Sequence, residues 1–220
     1  VTDVVITWLL TGVPDPQRGT HLPSTSDTIG ELRASVAAHK RHLVVLHDCL
    51  DDPDDELTTF ARVPVGSNPY FYRWRVTAAW LEAHPEVERV WCVDGTDVEM
   101  LNDPFPHMQP GAFYVGSEQK TYAHPDTGTW LRTHCPSVGS LFDDHPGQRI
   151  LNVGTLGGDR GDVLEVAHAL ADAEDTGDDW EMGVFQSLML TRFPDHVTGP
   201  PVHTPFLAGV RVSDCWWRHK

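Results

Sequence analysis

Apolar residues along this chain fall in short runs that alternate between strand-like and helical periods, with polar, Gly- and Pro-rich stretches between them. Val4-Val5-Ile6-Thr7-Trp8-Leu9-Leu10 is a β-rich run closed by Gly12 and the Pro14-Asp15-Pro16 cluster. With no basic leader and no small-residue cleavage site, it predicts a first strand rather than a signal peptide. Residues 28–39 carry Ile29, Leu32, Val36 and Ala37 at helical spacing, with Asp27 as the expected N-cap. Leu43-Val44-Val45-Leu46 predicts a buried strand, followed by an acidic loop over 48–56. Residues 70–84 suit a helix packed on a sheet and closed by Pro85, and Val90-Trp91-Cys92-Val93 is the next strand. Beyond it, 112–115 and 150–156 read as strands, 162–174 and 181–191 as helices, and 122–147 as loop. Strand, helix, strand, helix, strand is the order of an α/β domain with parallel strands, whose ligands bind beyond the carboxyl ends of the strands. Asp94 falls there.

Charge narrows the partners. Acidic residues outnumber basic ones, 32 to 16, giving a formal net charge of −16. A field of that sign repels nucleic acid and anionic membranes, so nucleic acid is disfavoured as a partner. No run of about 18 apolar residues exists, and no membrane span is expected. Cys49, Cys92, Cys135 and Cys215 lack any C-x-x-C spacing, which reads as reduced thiols in a cytoplasmic protein and not as a zinc ribbon.

The candidate chemistry centres on Val93-Asp94-Gly95-Thr96-Asp97-Val98. Two carboxylates follow a hydrophobic strand, separated by small residues that let the backbone turn tightly and a bulky diphosphate come close. Carboxylate oxygens suit a hard divalent cation such as Mg²⁺ or Mn²⁺, which would offset diphosphate charge and stabilise it as a leaving group. The plainer alternative is a strand-ending turn with Asp97 capping a following helix.

Together with Tyr72-Arg73-Trp74, Leu81 and the stretch over 86–98, this segment resembles the core of the GT-A-fold glycosyltransferases. In motif order it is nearest to the glycogenin/galactosyltransferase-like group. There an arginine-bearing helix leads into a strand ending in Asp-x-Asp; the present spacing is Asp-x-x-Asp. Asn102-Asp103-Pro104-Phe105 matches the Asp-Pro segment that follows. Leu151-Asn152-Val153-Gly154 is similar to the family's Asn-x-Gly segment beside the donor sugar, and Glu181-Met182-Gly183-Val184-Phe185-Gln186 to its acidic helix start facing the acceptor. Read alone, these two are a strand before a Gly-Gly turn and a solvated acidic face.

The resemblance implies a single GT-A (Rossmann-like) α/β domain over 1–220, with a mostly parallel sheet and helices on both faces. Its nucleotide-binding half would span about 1–105 and its acceptor half about 106–220. The implied activity is a metal-dependent, hexosyltransferase-type transfer from a nucleotide-diphosphate sugar, UDP being favoured, to a hydroxyl of a protein, glycan or small molecule. Thr7, Trp8, Arg73, Asp94, Gly95, Thr96 and Gly154 would hold the donor. Asn152, Asp179 and Glu181 would be catalytic, with Asp178 a further candidate. Mn²⁺ or Mg²⁺ would sit on Asp94, Asp97 and a C-terminal histidine, for which His203 is preferred to His196 and His219. Arg18 reads as an ordinary loop charge. The alternatives are a sugar-phosphate nucleotidyltransferase and a non-catalytic nucleotide- or sugar-binding module. Against the first stands the lack of a Gly-rich basic loop after the first strand.

Overall fold

A computed structural model describes residues 2–177, 179–204 and 214–219. Nine strands and six α-helices are described. They run in the order β1 (Asp3–Leu9), α1 (Gly30–Ala38), β2 (His42–His47), β3 (Thr58–Arg62), α2 (Pro69–Ala83), β4 (Arg89–Val93), β5 (Val98–Met100), β6 (Tyr114–Thr121), α3 (Pro125–His134), α4 (Gly139–Asp144), β7 (Arg149–Asp159), α5 (Arg160–Thr176), α6 (Glu181–Thr191), β8 (His203–Thr204) and β9 (Trp217–His219). Six strands form a central sheet in the order β3-β2-β1-β4-β7-β6. β3, β2, β1 and β4 run parallel to one another, and β7 alone runs antiparallel, to β4 on one side and β6 on the other. The chain is thus an α/β protein with a mostly parallel sheet, consistent with a Rossmann-like fold.

Alternation along β1 explains the layering. Val4, Ile6 and Trp8 point into one core, shared with Trp74, Val76 and Leu81 of α2, Val163, Val166 and Leu170 of α5, and Phe185 and Met189 of α6. Val5 and Leu9 point into the other, with Leu32 and Val36 of α1, Trp91, Val98 and Met100, and the C-terminal Trp216 and Trp217. β5, β9 and β8 make a second, three-stranded sheet on that side, with Val98 opposite His219 in the β5–β9 register. Among the described residues no helix is long and apolar enough to cross a membrane, and all four cysteines are free thiols.

Three local expectations change. Asp27 is not the cap of α1: it lies inside a 3₁₀ turn, Ser26–Ile29, whose Asp27 carbonyl accepts from Gly30 N–H, and Ile29 occupies the cap position. The stretch over 122–147 contains α3, a 3₁₀ turn (Pro136–Val138) and α4. Pro125 and Pro136 mark helix starts instead of breaks, since proline is tolerated at the first helical positions, where its missing N–H costs no internal bond. Gly128 is needed there because α3 packs so closely that a Cβ would overlap the Tyr122 carbonyl oxygen. Finally, β3 ends the acidic loop as a half-exposed edge strand, so its residues lack the apolar run of a central strand.

Trp217 carries the docking of β9. It is fully buried, with its ring centroid 5.4 Å from that of Trp91, which lies on β4 beneath it. Removing such a side chain leaves a large cavity. Trp217→Ala is expected to lower stability by about 3–5 kcal/mol in urea unfolding; an unchanged midpoint would show that β9 is not an integral part of the core.

Candidate functional site

β4 ends at Val93, and Asp94-Gly95-Thr96-Asp97 turns the chain directly into β5. No helix follows, so Asp97 caps none. The turn is fixed from both sides: Thr7 Oγ1 donates to the Val93 carbonyl at 2.8 Å, and Asp94 N–H donates to the Gly154 carbonyl at 2.9 Å. Gly95 fits so tightly over β1 that a Cβ would come within 2.7 Å of Ile29 Cγ2 and 2.9 Å of Thr7 Oγ1. A cleft opens at these strand ends, lined by Trp8, Asp15, Arg18, Tyr70, Arg73 and the whole turn, with an enclosed volume of about 140 Å³. Thr7 lies behind this cleft, under the turn. Trp8 forms part of its wall, its indole N–H donating to Thr77 Oγ1 at 2.8 Å.

Arg73, from the second turn of α2, ties the cleft to the rest of the fold. Its Nη1 donates to Asp94 Oδ1 at 2.7 Å, and its Nε and Nη2 donate to the two oxygens of Glu181 at 2.9 Å each. Trp74 Nε1 also donates to Glu181. The guanidinium carbon lies 5.0 Å from the Trp8 ring centroid, 5.2 Å from Trp74 and 5.8 Å from Tyr70. Burial works against the Arg73 charge, and the Glu181 and Asp94 carboxylates outweigh it, so the guanidinium stays charged. Burial raises the Glu181 pKa, with Arg73 and Trp74 opposing that rise. Both Glu181 oxygens accept hydrogen bonds inside the protein, where this first residue of α6 anchors Arg73.

Asp94, Asp97 and His219 converge at this turn. His219 Nε2 is 3.8 Å from Asp94 Oδ2 and 3.6 Å from Asp97 Oδ1, and one ligand atom from each residue lies within 4.8 Å of the others. Gly154 of β7 makes room for them: a Cβ there would overlap Asp94 Oδ2 and press to 2.7 Å on His219 Cε1. Asp97 Oδ1 is buried without a hydrogen-bond partner. An oxygen so placed is costly unless something satisfies it. Two carboxylates and an imidazole are a donor set that a divalent cation such as Mn²⁺ fits.

The remaining predicted residues lie elsewhere. His203 is buried on β8 with its ring used internally: Nδ1 lies 2.8 Å from the Thr204 carbonyl, and Nε2 accepts from Gly199 N–H at 3.1 Å. The histidine that meets the carboxylates is thus His219. Asn152 turns its side chain back on its own strand, its Oδ1 accepting from Gly154 N–H at 2.8 Å, and so shapes the backbone where Gly154 passes Asp94. Asp179 accepts from Ser137 N–H and from the Ser137 hydroxyl, tying α6 to the turn before α4, and it does not line the cleft. Asp178 lies outside the described residues. Arg18 lines the cleft after all, 3.7 Å from Asp15, with its side chain largely exposed.

His219 had one signal in the sequence. In Trp217-Arg218-His219, residues two apart share a face, so a strand that buries Trp217 also turns His219 inward. What the pattern does not reveal is β5, a three-residue partner directly after Asp97. No protein-family profile matches the chain, and no curated protein is significantly similar to it.

Two outcomes follow from this geometry. Gly154→Ala should displace the Asp94 carboxylate and destabilise the fold by about 1–3 kcal/mol, as overpacking does; thermal unfolding unchanged from wild type would show that the close approach is not needed. Burial holds His203 below its ordinary pKa of 6.5, with His219 and Arg149 adding to the effect and the Thr204 carbonyl opposing it. The unfolded chain then binds the proton more tightly than the folded one. Stability should therefore be complete above about pH 6.5 and decline as the pH falls below it. His203→Gln should flatten that decline in urea titrations run from pH 7.5 to 5, whereas an identical slope would remove His203 from the effect.

Proposed function

We propose that the protein is a glycosyltransferase of GT-A type that moves a sugar from a nucleotide-diphosphate donor to an acceptor hydroxyl. The observation that carries this reading is the meeting of Asp94, Asp97 and His219 at the carboxyl ends of β1 and β4, beside the charged guanidinium of Arg73. Strand ends of this kind are where open α/β sheets bind their ligands. Gly95, Thr96 and Gly154 keep the backbone low there, so that a diphosphate can approach closely. The motif order along the chain is the further support.

In this reading Asp97, Asp94 and His219 hold the cation. When bound, it supplies positive charge that offsets the diphosphate and stabilises its departure. Mixed oxygen and nitrogen donors favour Mn²⁺ over Mg²⁺, which prefers oxygen alone. Arg73 keeps Asp94 oriented and adds positive charge beside the phosphates. Trp8 and Tyr70 wall the cleft and exclude water from one side of it. The enclosed part of the cleft seats the diphosphate end of the donor, with nucleoside and sugar extending along the open strand ends. During transfer the acceptor oxygen bonds to the anomeric carbon as the bond from that carbon to the phosphate oxygen breaks. The acceptor proton passes to a base, and the nucleoside diphosphate leaves. The net charge of −16 argues against nucleic acid as acceptor.

Calorimetry with UDP, GDP and their common sugars, each with and without Mn²⁺, tests the reading. Wild-type protein should bind one nucleotide series only when Mn²⁺ is present, and Asp97→Ala should weaken that binding at least about 100-fold, as loss of a charged ligand pair does. Release of free sugar from the bound donor then separates an enzyme from a mere binding module. Absence of nucleotide binding under every condition would overturn the proposal.

A further inference from the structure

A second pocket lies beside the cleft, lined by Pro16, Gln17, Glu118, Thr127, Trp130, His134, Trp180 and Met182, with a volume of about 540 Å³. This is within the range of small-molecule sites. The two spaces adjoin. Asp15 and Arg18 edge the cleft while Pro16 and Gln17, from the same loop, edge the pocket. Tyr70 of the cleft packs against Trp180 of the pocket with ring centroids 5.8 Å apart.

The residue that makes this pocket unusual is Glu118 of β6. It is only 8% exposed, yet its carboxylate has no hydrogen-bond or ion-pair partner among the described residues. Burial raises its pKa, and the nearby charges of Lys120 and His219 pull it back without pairing with it. Facing the pocket without a protein partner among the described residues, its carboxylate offers free acceptor lone pairs to a ligand that supplies donors. The walls define which ligand. Trp130 and Trp180 meet edge to face, with centroids 5.7 Å apart and planes at 69°, and His134 stacks on Trp130 at 4.5 Å. Rings already in contact form a corner, with no gap between them in which a cation could be caged. A corner of indole faces suits instead a rigid ring with an apolar C–H face. The polar groups of Gln17, Thr127 and Glu118 suit hydroxyls around its edge.

We propose that this pocket binds a saccharide, with one pyranose ring packed on the Trp130–Trp180 corner and a ring hydroxyl donating to Glu118, and that this saccharide is the acceptor. The second half of the statement rests on the glycosyltransferase reading; the first does not. Because the pocket and the cleft share the loop over 15–18 and the Tyr70–Trp180 contact, the saccharide sits next to the point where the donor sugar would be released. Neither Glu118 nor Trp130 lines the cleft, so binding in the pocket and binding in the cleft can be measured separately.

The test uses saturation-transfer NMR with the methyl glycosides of glucose, galactose and mannose, and with choline as a cationic control, on the whole chain. At least one glycoside should bind wild-type protein. Glu118→Gln, which preserves shape, should weaken it about tenfold or more, the expected loss of a hydrogen bond to a charged acceptor. Trp130→Ala should weaken it as well. In both variants Mn²⁺-dependent nucleotide binding should stay within about twofold of wild type, which also reports that the fold is intact. Equal glycoside binding by wild type and Glu118→Gln would overturn the proposal. So would choline binding in place of the sugars, or no glycoside binding by a protein that does bind nucleotide. Glycoside binding by a protein that binds no nucleotide would overturn the acceptor assignment alone and leave a saccharide pocket.

Discussion

The buried guanidinium of Arg73 is the constraint on which the site depends. Taking such a charge out of water costs several kcal/mol, and only partners on more than one side repay it. Glu181 supplies two of its hydrogen bonds from α6, Asp94 supplies one from the end of β4, and three aromatic rings enclose it. Two helices and the central sheet are thereby tied to one atom group. Removal of Arg73 would leave the buried Glu181 carboxylate without a counter-charge, a change that typically costs about 3–5 kcal/mol. The position of Asp94 is therefore inherited from the packing of α2 and α6 and not from the turn alone.

The His219 side of the turn is built differently. There the constraint is steric: Gly154 and Gly95 have no side chains because the neighbouring backbone, Asp94 and His219 already fill the space. Where the Arg73 side is satisfied, the His219 side keeps Asp97 Oδ1 without a hydrogen bond. Satisfied on one face and wanting on the other, the turn has the asymmetry of a binding site, in which the protein holds the ligating groups from behind and leaves their outer face for a guest.

Much of this was legible from residue patterns. Continuous apolar runs marked β1, β2 and β4, because central parallel strands are buried on both faces. The Asp94–Asp97 turn followed from small residues after such a run, and Arg73 from the family resemblance. Other features depended on partners far away in sequence. β5 and β9 are three residues each, too short for periodicity, and exist because they pair with each other. His219 was hidden for that reason, and on sequence alone His203 is preferred. Glu181 matched a motif by position, but its role is set by Arg73 and Trp74, which no local pattern discloses. Glu118 gave no signal at all, since only tertiary packing leaves its carboxylate unpaired.

The short pairing of β5 with β9 has a thermodynamic consequence. Contacts between segments this distant in the chain form against a large loop entropy, and with a ladder of only three residues it is the burial of Trp217 that holds β9 in place. Whenever β9 lifts away, His219 leaves with it and only the carboxylates stay behind. Any ligand gripping both Asp97 and His219 would bind the docked arrangement alone, so its apparent affinity is discounted by the fraction of molecules with the strand in place. Such a ligand would act as a cross-link between the middle of the chain and residue 219, and its occupancy and the docking of the last strand are one equilibrium.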